Sequence, residues 1–318
     1  MAVTVVDDAR LEAILDDTYP IWGEGLSRHA YGAWNRAQMA TDWGRGSLRR
    51  LALIDGNRVL ASAKRYLFDA KIGGAATKVL GVGAVFTPPA LRGRGAARHL
   101  IEEMMTAAAA DGCSHALLFS EIGPAYYERL GFVALERRRY ALTTIEKAGA
   151  PATFVRSGES ADLPAVAELS SLYAARAGFA LDRTPELIQF AIARKRLLAG
   201  LGPAGLREAG FFVAEEGYRA AAYVVITRGP EGLTLQECGD RDPTGARVGA
   251  ILQVLAACEP ASRPPVLEGW LPADFRPPQM RILEDTAASE VMMLCPLTPV
   301  SSSSQVFTPV AYWQADVF

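Results

Sequence analysis

Cysteine, histidine and lysine are scarce in this sequence. Its 318 residues include four cysteines and three histidines, and no two cysteines form a CxxC pair. Metal sites and disulfide frameworks need such ligands at short, regular spacings, so neither is expected and no metal is predicted. Few and scattered cysteines are typical of a reducing compartment, which favours a cytoplasmic location.

An excess of charge of one sign is also missing. Lys and Arg number 33 against 35 Asp and Glu, a formal net charge of -2. Near neutrality gives no general attraction to nucleic acid or anionic lipid. No apolar run approaches the ~20 residues that cross a bilayer, and the N-terminal MAVTVVDDARLEAILDD is acidic where a secretion signal is basic. We therefore expect a cytoplasmic protein without nucleic-acid or membrane partners.

What the sequence does contain is an alternation of short apolar runs with helical patterns. In the first half the pattern predicts a strand at 3–6, helices within 9–42, strands at 48–55, 58–70 and 77–87, a helix at 93–111, a strand at 114–120, a short helix at 123–130 and strands within 132–144. Two-residue turns at Gly56-Asn57 and Gly73-Gly74 separate the three central strands, which predicts antiparallel hairpins.

The same order of elements recurs in the second half. Its predicted elements are a strand at 153–157, helices at 161–177 and 184–198, strands at 211–216, 218–228 and 233–239, a helix at 244–258 and a strand at 265–271. We interpret this as a duplicated α+β plan of the α/β sandwich type, each copy a mixed, mostly antiparallel sheet flanked by helices. The segment EKAGAPAT (146–153) is the predicted boundary, giving domains 1–148 and 149–296 and a serine-rich linker with an aromatic tail at 297–318.

The stretch GVGAVFTPPALRGRGAARHLIEEMMTAAA (81–109) runs from a strand through a Gly/Arg loop into a helix. The first N–H groups of a helix lack intrahelical partners, and the helix dipole is positive there. Glycines let the backbone approach a ligand closely, and Arg92, Arg94 and Arg98 add positive charge. The loop therefore predicts a diphosphate site. It contains neither the GK[ST] of a P-loop nor the GxGxxG of a dinucleotide site.

Two segments resemble the GCN5-related N-acetyltransferase (GNAT) superfamily. RGRGAA (92–97) matches its [QR]xxGx[GA] signature, and AYYERLGF (125–132) matches its YxxxGF motif, which follows one helix and one strand later. With its tandem plan, the chain is most similar to the enhanced intracellular survival acetyltransferases of actinobacteria, which implies a bacterial transferase. The residues after 297 are too few for the sterol-carrier-like third domain of those enzymes.

The resemblance implies that acetyl-CoA is the co-substrate and that particular residues hold it. Main-chain groups of a bulged strand, at Val85, Phe86 and Thr87, would bind the pantetheine arm. The following loop would bind the diphosphate through Arg92, Gly93, Arg94, Gly95, Ala96, Ala97 and Arg98. Ser120 and Glu121, at the end of the next strand, would line the cofactor channel. Tyr127 of the YxxxGF motif would protonate the departing CoA thiolate as general acid. Tyr126 is its competitor for that role.

The second half lacks this apparatus, and the acceptor site is less defined. In the corresponding loop CGDRDPTGARVG (238–249), Asp240 and Asp242 would repel a diphosphate, so the second domain is predicted to be a degenerate copy that binds no CoA. The acceptor cleft would be walled by the aromatic-rich segment 19–43, with Trp22, His29, Tyr31, Trp34 and Trp43. Whether these rings bind an acceptor or only pack a helix pair stays open.

The tail VFTPVAYWQADVF (306–318) is too apolar to remain solvated, so it is predicted to dock on the first domain, with Trp313 as packing anchor. In the enzymes that the chain resembles, the C-terminal carboxylate is the base for the acceptor amine. That implies the Phe318 α-carboxylate here, with Asp316 as an alternative base. The other interpretation is that the tail is structural only, as an added edge strand or a domain clamp.

Together these features imply an acetyl-CoA-dependent N-acetyltransferase with a tyrosine general acid. The acceptor would be the primary amine of a small molecule or a lysine side chain, attacking the thioester directly. Two alternatives stay open: an acyltransferase that uses another acyl-CoA or a hydroxyl acceptor, and a non-catalytic CoA-binding regulatory module. The acceptor and the acyl chain are not specified by the motifs, and a homo-oligomer is compatible with the sequence.

Overall fold

A computed structural model describes residues 1–145, 154–230, 232–259, 267–272, 275–298 and 307–318 of the chain. The predicted boundary segment at 146–153 and the predicted serine linker at 301–305 lie outside these residues. Contacts divide the chain into two units. The first unit comprises Met1–Arg137, Ser289–Val310 and Phe318, and the second comprises Arg138–Ala288 and Ala311–Val317.

Strands and helices alternate along both units. The strands are β1 (Ala2–Val5), β2 (Leu48–Asp55), β3 (Arg58–Ile72), β4 (Ala75–Phe86), β5 (Cys113–Ser120), β6 (Val133–Leu135), β7 (Arg138–Thr144), β8 (Phe154–Ser157), β9 (Phe179–Leu181), β10 (Glu208–Glu216), β11 (Arg219–Gly229), β12 (Gly232–Asp240), β13 (Leu267–Gly269), β14 (Met280–Ala287), β15 (Val291–Pro296) and β16 (Val310–Ala311). The α-helices are α1 (Asp8–Trp22), α2 (Arg28–Ala40), α3 (Asp42–Ser47), α4 (Ala96–Ala110), α5 (Ala125–Glu128), α6 (Leu163–Ala174), α7 (Pro185–Leu201) and α8 (Ala246–Ala257).

Seven strands of the first unit follow the order β1-β2-β3-β4-β5-β15-β6. All neighbours are antiparallel except β4 and β5, which run parallel and are connected by α4. Asp55 pairs with Arg58 across one two-residue turn, and Ile72 pairs with Ala75 across the other. The second turn, Gly73-Gly74, has positive φ at both residues, as such hairpin turns require. The predicted antiparallel hairpins are therefore confirmed.

The sheet of the first unit has two different faces. One face packs on the apolar side of α4; its buried residues include Leu51, Leu53, Ala61, Ala63, Leu80, Val82, Leu100, Ile101, Met104 and Leu118. Side chains alternate along a strand, so Arg50, Lys64, Tyr66 and Phe68 lie on the opposite face. We call this the aromatic face of the first unit. The active-site groups described below divide between these two faces.

The sheet of the second unit repeats the plan, in the order β14-β7-β13-β12-β11-β10-β8. Its single parallel pair is β12 and β13, with α8 between them in the chain. Buried residues from the sheet and from α8 form one core, including Leu142, Val224, Leu235, Cys238, Val248, Ile251, Leu252 and Leu267. The fold class predicted from the sequence, two α+β domains with mixed and mostly antiparallel sheets, is confirmed.

The two units do not coincide with the predicted division of the chain. β7 lies before residue 148 but belongs to the second sheet, where it pairs with β13 and β14. β15 lies before residue 296 but belongs to the first sheet, between β5 and β6. Hydrophobic periodicity predicts that a segment is a strand but not which sheet edge it pairs with. Four strands, β9, β14, β15 and β16, were not predicted. β9 and β16 have only three and two residues, β14 is mostly exposed, and β15 is a short apolar run without alternation.

Across the described residues, the helices are all too short or too polar to cross a bilayer.

Candidate active site

The central feature of the first unit is an opening between its two parallel strands. β4 and β5 pair from Lys78↔Cys113 to Gly81↔Leu117, and both strands then continue without pairing to each other. Past this point, β4 contains a bulge: Ser62 of β3 pairs with Phe86, whereas Lys64 pairs with Gly83. Three residue steps on β4 therefore face two on β3, and Ala84 adopts a left-handed φ of 47°. The bulge frees main-chain groups beside the opening.

Val85, Phe86 and Thr87 lie on or just after this bulge, as the sequence predicts. Phe86 is buried against Trp22, with ring centroids 6.4 Å apart. The Thr87 hydroxyl is buried and makes no hydrogen bond to the described residues. The contact with Trp22 packs the bulge against α1.

The Gly/Arg loop ends at the N-terminus of α4. Gly95 is the N-cap of that helix with φ 79°, and Gly93 has φ 76°. A Cβ built on either glycine would meet no atom within 4 Å, so the space above the loop is open. Arg92, Arg94 and Arg98 are all exposed, and Arg98 pairs with Glu102 one turn along the helix. Helical N–H groups at an open helix N-terminus, with arginines nearby in the chain, are chemically suited to binding an anion.

Tyr127 occupies the short helix α5 that follows β5. Its ring is 8% exposed and belongs to the core on the α4 side of the sheet. Burial, with smaller effects of Tyr126 and Glu121, raises the pKa of Tyr127 to about 12. The phenol is therefore fully protonated at neutral pH and can donate a proton. Tyr126 packs edge-to-face on it at 5.0 Å, and burial also raises the pKa of Tyr126.

Ser120 and Glu121 lie where β5 ends. The Ser120 hydroxyl is buried and donates to the Gly123 carbonyl at 2.6 Å, which shapes the turn that leads to α5. Glu121 is exposed. Both residues are at the open end of the parallel pair, in agreement with the predicted position.

The C-terminal residue Phe318 belongs to the first unit, and its ring lies on the aromatic face. Ring centroids are 4.4 Å from Tyr66, 5.4 Å from Phe68 and 5.3 Å from Phe119. The ring and the chain end lie over two glycines of β4. A Cβ on Gly83 would be 2.8 Å from the Phe318 ring and 3.0 Å from the Phe318 oxygen. The terminal carboxylate is therefore at the opening, one residue from the bulge.

Residues 311–317 of the tail belong to the second unit and not to the first domain, which is where the sequence predicts the whole tail. Phe307, by contrast, packs on His115 of the first unit, with ring centroids 5.6 Å apart. Trp313 and Ala315 belong to the core of the second unit. Asp316 pairs there with the buried Arg183, which leaves it unsuited to the alternative role of base. The apolar character of the tail predicts that it is buried, but it does not predict which domain the tail packs against.

The aromatic segment 19–43 divides into packing residues and exposed ones. Tyr31 is buried on α2, with its hydroxyl 3.1 Å from that of Thr18. Trp43 stacks on Phe68 and Tyr66 of the aromatic face, with centroids 5.3 and 6.5 Å away. His29 is exposed on α2, which gives no support to a catalytic role for it. Trp43 thus helps to enclose the site, whereas Tyr31 holds α1 and α2 together.

Arg50 is a site residue that sequence reasoning missed. Its side chain is buried, and Nη1 donates to the carbonyl of Ala84 in the bulge at 3.2 Å. Burial lowers the pKa of Arg50, and among the described residues its Nη2 has no hydrogen-bond acceptor. This bond holds the left-handed peptide of the bulge in place. The available signal was a charged residue within the predicted strand LRRLALID (48–55), directly before its apolar run LALI.

The equivalent loop of the second unit is closed. Gly245 caps α8 with φ 76°, but a Cβ there would lie 2.3 Å from the Phe275 ring. The Asp240 carboxylate accepts from the backbone N–H groups of Arg247 at 2.8 Å and Val248 at 3.1 Å. The helix N-terminus that would bind a diphosphate is thus already bound by a carboxylate of the same unit. In the second unit the Phe275 ring and the Asp240 carboxylate thus occupy the space and the N–H groups that are open in the first.

Comparison with known proteins gives the class. A family model for the acetyltransferase (GNAT) domain matches residues 25–134. A GCN5-related N-acetyltransferase from Anabaena variabilis is similar over 93% of this chain and 73% of its own, with TM-score 0.69 and 13% identity. Eis1 from Mycobacterium abscessus is similar over 93% and 74%, with TM-score 0.58 and 14% identity.

A tandem GNAT protein from the clavulanic acid biosynthesis pathway is similar over 94% of this chain and 99% of its own, with TM-score 0.52 and 12% identity. A search of curated proteins finds no match. The chain therefore has the tandem GNAT fold, and residues 25–134 form a GNAT acetyltransferase domain. The resemblance drawn from the two sequence motifs is confirmed, and the chain is an acyltransferase by class.

Proposed function

We propose that the chain is an acetyl-CoA-dependent N-acetyltransferase that acts on a primary amine, either of a small molecule or of a lysine side chain. Catalysis belongs to the first unit, and the second unit is a degenerate copy that binds no CoA. The observation that carries the proposal is the chain end: the Phe318 carboxylate lies against Gly83, beside the bulge and the strand opening. A cytoplasmic location without nucleic-acid or membrane partners remains our expectation.

The residues of the first unit fit a CoA thioester. The bulge at Ala84 would offer main-chain groups to the pantetheine arm, and the N-terminus of α4 would bind the diphosphate, with Gly93 and Gly95 leaving it room. Bound there, the co-substrate supplies an activated acyl thioester. The chain supplies the anion site, a base for the acceptor amine and an acid for the leaving sulfur.

The base and the acid that we propose lie on opposite faces of the sheet. Phe318 packs on the aromatic face, whereas Tyr127 belongs to the core on the α4 face. In a direct transfer the amine adds to the thioester carbon, and the tetrahedral intermediate then collapses with cleavage of the C–S bond and release of the CoA thiolate. The base has to reach the amine, and the acid has to reach the sulfur. The carboxylate of Phe318 would remove a proton from the incoming amine, and the Tyr127 hydroxyl would donate one to the sulfur.

The experiment that tests the function is an acceptor panel. Purified protein is mixed with acetyl-CoA and single amines, from aminoglycosides and diamines to lysine peptides, and CoA release is followed with a thiol reagent. We expect release with at least one amine, together with a mass increase of one acetyl group on that amine. Matched hydroxyl compounds and longer acyl-CoAs serve as controls. Tight acetyl-CoA binding with no turnover across all of these would favour a regulatory CoA-binding module instead.

A pair of substitutions at Gly95 tests the anion site. Asn and Asp have the same shape and both tolerate a left-handed backbone, so Gly95→Asn and Gly95→Asp differ essentially in one charge. If the N-terminus of α4 binds the diphosphate, Gly95→Asp should weaken acetyl-CoA binding about tenfold more than Gly95→Asn does. Calorimetry measures both values. Equal affinities of the two variants would place the diphosphate elsewhere.

A further inference from the structure

The second unit has an opening between parallel strands like that of the first, and a peptide fills it. β12 and β13 pair only at Leu233↔Leu267 and Thr234↔Glu268, although β12 continues to Asp240. Residues 312–316 pack against the unpaired part of this opening. Trp313 lies 5.0 Å from Trp270, and Trp313 and Ala315 share a core with Leu235, Cys238, Leu271 and Phe275. The segment is thus an internal element of the second unit.

A buried cluster of charged residues binds the side chain of Asp316 in this segment. Arg183, Glu237 and Asp316 have side chains 4%, 1% and 5% exposed. The guanidinium of Arg183 donates to Glu237 through Nε at 3.2 Å and through Nη2, and to Asp316 through Nη1. The remaining oxygen of Asp316 accepts from the backbone N–H of Trp313 at 2.8 Å. Asp316 therefore adds a second carboxylate to the Arg183–Glu237 pair, and its two oxygens each have a hydrogen-bond donor in the second unit.

A second arginine recognises the main chain of the segment. Arg194 is buried on α7, and its Nη2 donates to the carbonyls of Ala315 at 3.0 Å and Val317 at 2.5 Å. The Tyr312 hydroxyl makes two hydrogen bonds to the backbone of Arg138: it accepts from the N–H and donates to the carbonyl. Side-chain and main-chain contacts therefore extend along the segment as far as Val317, the residue before the C-terminus.

We propose that the second unit is a peptide-binding module whose ligand is the segment 311–317 of this chain, and that it thereby sets the position of Phe318. Arg183 and Arg194 are positioning residues in this proposal, because they act on the reaction only through the tail. A role in binding the tail also fits the loop of this unit, where Asp240 and Phe275 occupy the place that a diphosphate would take. The docking itself is independent of the proposed function, whereas its effect on turnover rests on it.

The first experiment separates the tail from the folded chain. A recognition sequence for a specific protease replaces Ser301–Gln305 in the full chain, and the folded protein is then cut. We expect the fragment that carries residues 306–318 to remain bound through gel filtration, as native mass spectrometry would detect. Arg183→Gln should weaken its retention at least about 100-fold, because it leaves the buried carboxylates of Glu237 and Asp316 without their cation. Asp316→Asn should weaken it by a smaller factor, because Arg183 keeps its pair with Glu237 and loses only the charged partner on the tail. Asp316→Asn changes only the fragment, which protects the test against a folding defect in the body of the unit.

Arg219→Gln, an exposed arginine of the same unit, is the matched control and should retain the fragment. Immediate loss of the wild-type fragment after cutting would overturn the docking proposal. Retention that is unchanged in both Arg183→Gln and Asp316→Asn would overturn the recognition by charge.

The second experiment separates docking from catalysis. Cut protein from which the fragment has been removed is given synthetic peptides FTPVAYWQADVF and FTPVAYWQADV, the second lacking Phe318. Both should bind, because the contacts of the second unit end at Val317, and the shorter peptide should bind more weakly by the loss of the Phe318 ring contacts. Only the complete peptide should restore acetyl transfer. Failure of both peptides to bind would contradict the docking. Binding of both peptides with no rescue by the complete peptide would contradict the catalytic role of Phe318 while leaving the docking intact.

Discussion

Replacing Tyr127 with phenylalanine is expected to lower turnover by about 10²–10⁴-fold, the range for loss of a general acid. Acetyl-CoA affinity should hardly change, because the ring and its packing on Phe132 and Tyr126 are kept. The hydroxyl makes no hydrogen bond to the described residues, so the free energy of unfolding should also change little. Rapid-quench measurement of acetyl transfer, with calorimetry for binding, tests the three statements together.

The pH dependence of the wild-type rate gives an independent check on Tyr127. A general acid is active while protonated, and burial raises the pKa of this phenol to about 12. Its proton is thus present throughout the range from pH 7 to pH 10, and the rate should not fall there on its account. Tyr126→Phe is the matched control and should keep most of the activity. If Tyr126→Phe loses the activity and Tyr127→Phe keeps it, the neighbouring tyrosine is the acid.

Adding a single glycine after Phe318 should also reduce turnover by about 10²–10⁴-fold, if the α-carboxylate is the base. The ring of Phe318 can remain between Tyr66, Phe68 and Phe119, but the carboxylate becomes a peptide group that cannot accept the proton. Acetyl-CoA affinity should stay near the wild-type value. Phe318→Leu is the matched control: it keeps the carboxylate, reduces the ring contacts and should lose no more than about tenfold.

Gly83→Ala tests the position of the Phe318 carboxylate by changing the strand residue that the chain end contacts. The added methyl would lie 2.8 Å from the Phe318 ring and 3.0 Å from a Phe318 oxygen, so the chain end must move. Turnover should fall, and the fall should largely disappear when Phe318 has already been deleted, because the two changes act on one contact. Additive effects of the two changes, or full activity of the glycine-extended chain, would leave the tail as a structural clamp only.

Much of the local structure followed from the sequence. The run LRRLALID predicted β2 with its observed ends, since apolar residues bounded by turn residues favour a strand. The turns at Gly56-Asn57 and Gly73-Gly74 predicted the hairpins, because only residues that tolerate positive φ fit them. The Gly/Arg loop predicted an anion site at the start of α4, where Gly95 does adopt a left-handed φ. These features depend on residues that are neighbours in the chain.

Features that depend on distant residues were decided by the tertiary structure alone. β7 and β15 each join the sheet that lies outside their predicted domain, because edge pairing is selected by packing and not by periodicity. The bond from Arg50 to the bulge joins residues 34 positions apart, so no local pattern contains it. The apolar tail 306–318 predicted burial, yet only the folded chain places Asp316 against Arg183 and Phe318 over Gly83. The sequence by itself determined most of the elements, the GNAT motifs and the glycine-rich start of α4. The tertiary structure decided which distant groups contact each other, since such contacts depend on closing long loops around specific partners.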